Sequence, residues 1–468
     1  MKTYQDFLEV SEKSDRDRME FVLAAINNYK GSEFYQQALI AKEYDAHRNV
    51  TIISFQKLLY TLSGKAIPDN YSANYKLRSN FFSNFVTQET QYLLGNGVTL
   101  KDDANKSRLG GSFDNKIQAA AHDALVCGVS YGFWNFDHLE VFDATEFVPL
   151  LDEENGALRA GIRFWQVSTG KPLRATLFEV DGFTQFIRRS GKEMEILERK
   201  RGYVTVESSS EIDGTEILAY RNYPGFPIIP MYGNRARQSE LVGQREAIDC
   251  YDLIKSGFAN TVDEASIIYW TISNAGGMDE IDMARFKETM RRIGVGMVDD
   301  DGAKAEAHTL TVPTEARETL LARISDDLYR DFQMLDVTKL QGGQKTATEI
   351  NAAYQPMDNK VDQFEYCVIE FLQALFEIVE IKDTPSFTRS KIVNQLEQTQ
   401  MVLMAASYLD DETILNNLPW LTPDDVAEIL KRKSAEDLER LAFDTPKQEA
   451  GESMQDGANT NGEKVLNE

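Results

Sequence analysis

The segment Gly342-Gly343-Gln344-Lys345-Thr346 places a lysine and a threonine directly after two glycines and ahead of a helical pattern. In a phosphate-binding loop, backbone amides cradle the phosphates, the lysine reaches the terminal ones and the hydroxyl holds Mg2+. A second stretch, Gly128-Val129-Ser130-Tyr131-Gly132, matches the G-x-S-x-G of a nucleophile elbow, where a strained turn exposes a serine. His138 and Glu140 form the H-x-E pair that opens a zinc-deaminase site. Asp299, Asp301 and Gly302 reproduce part of a calcium-binding loop.

Each pattern fails on what must surround it. The phosphate loop requires glycine where Gln344 stands, and it must leave a buried strand, whereas this segment follows a helical stripe. The elbow needs a strand entering and a helix leaving, and here the order is reversed, so small residues for close packing at a helix end explain the glycines better. No P-C-x-x-C follows the H-x-E pair. The twelfth position of the acidic loop is His308 rather than glutamate. No catalytic or metal-binding constellation remains, no cofactor is expected, and the chain reads as a non-enzyme. The alternative, a nucleotide-dependent motor or hydrolase, rests on the Gly-Gly-Gln-Lys-Thr loop alone.

The elements around these stretches fall into an ordered series. Residues 1–145 are mainly helical in pattern. Met19, Val22, Leu23 and Ile26 share one face, and Phe82, Phe85, Val86, Glu89 and Leu93 share another, stopped at Gly95. A helix over DNKIQAAAHDALVC ends at Gly128 and passes into a strand. From about 140 to 232, short β-rich segments separated by Gly, Asp and Pro predict an antiparallel β subdomain. Tyr251, Ile254, Phe258, Val262, Ala265 and Ile268 then recur at steps of three or four, predicting a long helix over 240–271. An insert follows, with a helix at DEIDMARFKETMRRIG and a hairpin over GVGMV-DDDG-AKAEAHTLTV. Leu320, Ile324, Leu328 and Leu335 stripe a second long helix. Thr346 and Glu349 form a capping box that opens a third, which Pro356 should bend. Further helices are capped at Thr422-Pro423 and Ser434, and a polar tail with little to bury closes the chain.

The chain has 468 residues with 75 acidic against 50 basic ones, a net charge of −25. That balance excludes a protein that grips nucleic acid by coating itself in cations. Cys127, Cys250 and Cys367 are far apart in apolar surroundings, which suggests small buried side chains, no disulfide framework and a reducing compartment. No secretory leader and no membrane-length apolar run is visible, so a soluble intracellular product is expected.

QETQYLLGNGVTL (88–100), PIIPMYGN (227–234), LLARISDDLYRDFQMLD running into KLQGGQKTATEINAAYQPMDNKVDQFE (320–365), and SFTRSKIVNQLEQTQMV occur in an order that resembles the portal, or head-to-tail connector, proteins of tailed bacteriophages. The likeness is to portals of long-tailed phages of Gram-positive hosts and spans roughly residues 20–442. It implies an α+β, predominantly helical portal fold with wing, stem, clip and crown, assembled as a dodecameric ring around a central channel. Carried over by position, 1–239 is the wing, 240–271 a stem helix, 272–313 the clip and 314–335 the second stem helix. The tunnel loop is 336–346, the bent wing helix 347–382, the helical crown 383–444, and 445–468 a disordered acidic tail. The implied partners are other copies of the chain, double-stranded DNA passing without sequence specificity, terminase, head-completion or adaptor proteins, and major capsid and scaffolding proteins, with no membrane. The implied location is the virion's portal vertex, and the host cytoplasm during assembly.

A loop projecting into a channel has no core to bury. Gly342 and Gly343 loosen the backbone there, while Thr338, Lys339, Gln341, Gln344 and Lys345 offer hydrogen bonds and charge to passing phosphates. In the clip, Arg285, Lys287, Arg291 and Arg292 cluster on or near one helix. They are either a solvated face or a contact with neighbouring subunits, DNA or docking proteins.

Overall fold

A computed structural model describes residues 2–11, 13–60, 63–69, 72–208, 217–265, 269–273, 279–293, 304–308, 313–340, 346–390, 399, 402–418, 421, 425–426 and 428–434. The chain divides into two units, one of residues 1–345 and 349–391, the other of 346–348 and 392–468.

The first unit is built around a five-stranded antiparallel meander in chain order: Phe147–Leu151, Leu158–Trp165, Leu173–Glu179, Gly182–Arg188 and Met194–Arg201. Side chains two residues apart share a face of a strand. Val148 and Leu150, Ala160, Ile162 and Phe164, and Ala175 and Leu177 therefore point together, and all pack on Phe21, Val22 and Ile26 of the Asp15–Lys30 helix. Ser14 and Asp17 cap that helix reciprocally. The opposite face meets a three-stranded sheet, ordered Ile228–Tyr232, Val129–Asn135, His138–Asp143, through Phe147 against Tyr131 at 4.3 Å and Phe178 against Phe133 at 5.3 Å.

The Phe113–Cys127 helix lies on that smaller sheet and ends where expected. Gly128 adopts φ 92°, and a Cβ there would sit 2.7 Å from the backbone of Gln238. Ser130 is fully buried in the following strand and donates to the Ala120 carbonyl at 2.6 Å, while a Cβ on Gly132 would strike the Phe371 ring. The G-x-S-x-G stretch is thus a packing junction with an occupied hydroxyl.

The long helix Arg245–Ala265 is shorter than the expected 240–271, because Tyr269–Ser273 turns into a strand paired with Lys304–His308. The partner strand expected for the insert hairpin, around 294–303, lies outside the described residues. Along one side of the helix runs an extended segment that no periodicity announces. Ser79 N–H donates to Asp252 at 2.8 Å, Leu77 N–H to Ser256 at 2.9 Å, and Tyr75 N–H to Asn260 at 2.7 Å. Every second residue of an extended chain advances about 6.6 Å, and every fourth residue of a helix about 6.0 Å. The two repeats stay in step over three bonds, so a helical side-chain stripe satisfies the strap's amides much as a neighbouring strand would.

On another side of the same helix packs Thr314–Asp331, where Arg317 donates to Thr261 at 2.9 Å. Its apolar stripe is buried at Leu328, half-buried at Ile324 and 46% exposed at Leu320, so burial fades away from the body. The helix ends at Asp331 rather than 335, with Gln333 at φ 57° and Met334 N–H returning to the Tyr329 carbonyl at 2.9 Å. The third long helix, Ala347–Val379, likewise stops before the expected 382. There Glu380 takes φ 58° and Ile381 N–H bonds the Phe376 carbonyl at 2.9 Å. Both ends use a left-handed closing residue that is normally glycine. The helix passes through Pro356 without interruption.

In the second unit, Asp410 caps the Asp411–Asn416 helix through the Thr413 amide at 3.1 Å. Thr422, Pro423, the segment after Ser434 and the expected tail lie outside the described residues.

Asp252 is buried and also accepts from Asn49 at 2.5 Å. Replacing it by alanine leaves the buried Ser79 amide without an acceptor and the Asn49 amide with the Ser79 carbonyl alone, and a loss of about 2–4 kcal/mol in urea unfolding is expected. A loss below about 0.5 kcal/mol would show that the strap is held elsewhere.

Candidate functional site

The expected loop at 336–346 begins as a short helix, Val337–Leu340, rather than as a fully irregular segment. Asp336 starts it, accepting from the Thr338 amide at 3.0 Å and hydroxyl at 2.6 Å. The ammonium of Lys339 lies 2.7 Å from Asp326 and 3.8 Å from Asp336, and the hydrogen bond to Asp326 raises its pKa. Thr338 and Lys339 are therefore exposed but already engaged with carboxylates of their own chain. Gln341, Gly342, Gly343, Gln344 and Lys345 lie outside the described residues. Beneath the loop's first turn is a cavity of about 460 Å3, lined by Tyr329, Met334, Leu335, Leu340 and Pro356 together with Asp326 and Lys339.

In the insert, Arg285 is exposed on the Glu280–Ile293 helix, 3.9 Å from Asp282. Lys287, Arg291 and Arg292 lie on the same helix, and their side chains are outside the described ones. His138 bonds Asp137 at 2.5 Å, 3.7 Å from Glu140. Among the described residues, no group of three or more His, Cys, Asp or Glu side chains could hold a metal ion, and no helix is long and apolar enough to cross a membrane. The three cysteines are free, but only Cys127 is buried; Cys367 is half-buried and Cys250 is exposed.

The support of this region was not singled out from the sequence. Lys360, on the third long helix, lies 2.9 Å from both Glu89 and Glu240, and it donates to the Phe332 carbonyl at 3.3 Å. Glu89 is 2% exposed, and burial pushes its carboxyl up to about 7 against the opposing pull of Lys360. For Lys360, burial disfavours the charge, but Glu89 and Glu240 outweigh it and the pKa rises. The signal was available: Glu89 stands within an apolar helical stripe, where an acid requires a buried partner.

The pH dependence has a definite sign. A carboxyl whose folded pKa exceeds its unfolded value stabilises the fold below the unfolded value, and that contribution is lost as pH rises through the folded one. Between about pH 4.5 and 7, the stability of the native chain should therefore fall relative to a Glu89→Gln variant, measured by urea unfolding at each pH. Lys360→Met should cost about 3–5 kcal/mol at pH 8, because it leaves Glu89 buried without its cation, and less at pH 5. A difference independent of pH would remove Glu89 as the titrating group.

Residues 41–440 match the family described as phage portal protein, SPP1 Gp6-like. The chain is 22% identical over 396 residues to the portal protein of Clostridium phage phiCD119, covering 77% of this chain and 84% of that one. It is also 22% identical over 411 residues to the portal protein of Bacillus phage SPP1, covering 78% and 77%. The match spans the end of the Glu33–Asp45 helix, the strap, both sheets, the paired long helices and the Lys360 junction, and the chain belongs to the SPP1 Gp6-like family of phage portal proteins.

Proposed function

We propose that copies of this chain form a ring, dodecameric in the resembled portals, at a capsid vertex, and that genomic DNA is packaged and later ejected through its centre. The observation that carries this reading is the family match over 41–440. It covers two packed long helices, the second of which leads through Val337–Leu340 into the polar segment that follows. In this reading 1–239 is the wing and 240–271 with 314–335 the stem. The insert 272–313 is the clip that docks terminase and then head-completion proteins, with Arg285, Lys287, Arg291 and Arg292 as contact candidates. Residues 336–346 form the tunnel loop, 347–382 the helix linking stem to wing, and 383–444 the crown. Portal proteins are structural components of the virion, and no observation favours nucleotide hydrolysis at the Gly342–Thr346 loop.

Lys339 shapes how such a loop meets DNA. Its partner Asp326 must be displaced before a phosphate can take the ammonium, so the exchange swaps one anion for another and leaves little net grip. Weak, exchangeable contacts suit a duplex that must slide, since each phosphate newly neutralised raises affinity and salt dependence.

Purified chains should form particles of about 640 kDa, twelve times 53.0 kDa, with a central hole in images taken down the axis and no ATP turnover. A particle of one copy would overturn the ring. Neutralising Lys339 and Lys345 together should change packaging or DNA retention while leaving rings intact. Asp326→Asn should steepen the salt dependence of DNA association, by up to about one unit of log-log slope per freed lysine engaged. An unchanged slope would mean that Lys339 does not face the duplex.

A further inference from the structure

The Phe81–Leu94 helix meets the end of the second long helix, and the turn after it, along a single stripe. Phe81 lies edge-on to Tyr329 at 6.2 Å, Phe85 packs 4.7 Å from Phe332, and the Gln88 side-chain amide donates to the Leu335 carbonyl at 3.1 Å. Steps of four and three keep these residues on one face of their helix. Their partners advance along the later chain by three residues at a time. The third contact of the series is polar, and its acceptor is backbone.

Leu335 is where burial stops. Phe332, Met334 and Leu335 are buried, whereas Val337, Thr338 and Lys339 are exposed and Leu340 is half-buried. The cavity of about 460 Å3 lies beneath this short helix, so packing does little to fix the direction in which it leaves the body. Among the described residues, two polar side-chain contacts tie 335–340 to other elements: Gln88 to the Leu335 carbonyl, and Lys339 to Asp326. The second is an exposed ion pair, and such a pair holds a segment only weakly. The first acts at the root. A peptide group is planar, so fixing the Leu335 carbonyl also fixes the Asp336 N–H and the bond from which Val337–Leu340 departs. Rotating that plane carries Lys339 away from Asp326, which stays behind because it belongs to the preceding helix.

We infer that Gln88 is a positioning residue: by holding the 335–336 peptide it sets Lys339 against Asp326, so that a side chain of the Phe81–Leu94 helix governs whether this ammonium is compensated or free. The consequence for DNA rests on the tunnel-loop reading above; the positioning does not. Gln88→Met keeps the length of the side chain and removes the donor. In the full chain it should raise the rate at which an acetylating ester modifies Lys339, measured by mass spectrometry against the exposed Lys171, at least about threefold, since an ammonium freed of its carboxylate gives up its proton more readily. Asp326→Asn should raise the rate similarly, and the double variant should react no faster than Asp326→Asn alone, because Gln88 acts through that pair. Phe81→Leu, which loosens the same helix without touching the Leu335 carbonyl, should leave the rate unchanged. An unchanged rate in folded Gln88→Met, judged by its circular dichroism, overturns the positioning. So does an equal rise in Phe81→Leu, which would mark general loosening, or a further rise in the double variant. On the tunnel-loop reading, Gln88→Met should also steepen the salt dependence of DNA association, as Asp326→Asn does, by up to about one unit of log-log slope. If Lys339 labelling responds as expected while that slope stays flat, the positioning stands and it is the placement of Lys339 against the duplex that has failed.

Discussion

Lys360 can be buried only because Glu89 and Glu240 both reach its ammonium and Phe332 supplies a carbonyl. Those partners come from the Phe81–Leu94 helix, the turn after the last strand of the smaller sheet, and the end of the second long helix. One ammonium thus fixes the mutual register of four segments, and a slip of any one strands a charge in the core. With both acids ionised the cluster carries one net negative charge in a low-dielectric site. A proton on one acid removes it, and Glu89, more deeply buried than Glu240, is the acid whose affinity for a proton rises. Aromatic packing surrounds this junction, with Phe85 4.7 Å from Phe332, so polar register and apolar burial demand the same arrangement.

The strap shows a second way of joining distant segments. It is neither helix nor sheet, yet its amides are satisfied because a period of two along an extended chain nearly equals a period of four along a helix. Asp249 extends the same stripe, accepting from Tyr44 and from Thr51 at 2.7 Å. The Arg245–Ala265 helix is consequently polar where it meets the N-terminal segments and apolar where it meets its partner helix. Its apolar periodicity alone describes only half of its attachments.

What the sequence displayed was what depends on local periodicity and on glycine. The Phe81–Leu94 and Phe113–Cys127 helices stop at Gly95 and Gly128 as expected, and the β segments between 158 and 221 fall where alternation and turn residues put them. The ends of the other two long helices were overrun because Gln333 and Glu380 occupy left-handed positions that carry no glycine signature. Tyr269–Ser273 was absorbed into a helix because SIIYWTI is apolar throughout and its pairing with Lys304–His308 is a long-range choice. Of the loop residues, Thr338 and Lys339 proved engaged rather than free, since Asp326 sits thirteen residues earlier and only the chain reversal at Gln333 brings it near. Glu89 signalled that a buried partner was needed, but which partner, and the whole of the strap, stayed hidden for the same reason: each consists of contacts between residues far apart in sequence.

These features bear on the electrostatic problem that a strongly acidic conduit poses under the proposed reading. Bare cations near a channel would hold DNA, and a wall of acids alone would repel it. A lysine already satisfied by carboxylates of its own chain behaves as neither. Lys339 is 2.7 Å from Asp326, whose helix also carries the Arg323–Asp327–Arg330 ladder on exposed surface. Charge along this helix is therefore largely compensated within one copy up to the neighbourhood of Glu315 and Glu318, where it is not. Charge is thus compensated toward the loop and uncompensated toward the helix start, so under that reading the weak, exchangeable surface that a sliding duplex needs lies at the loop end alone.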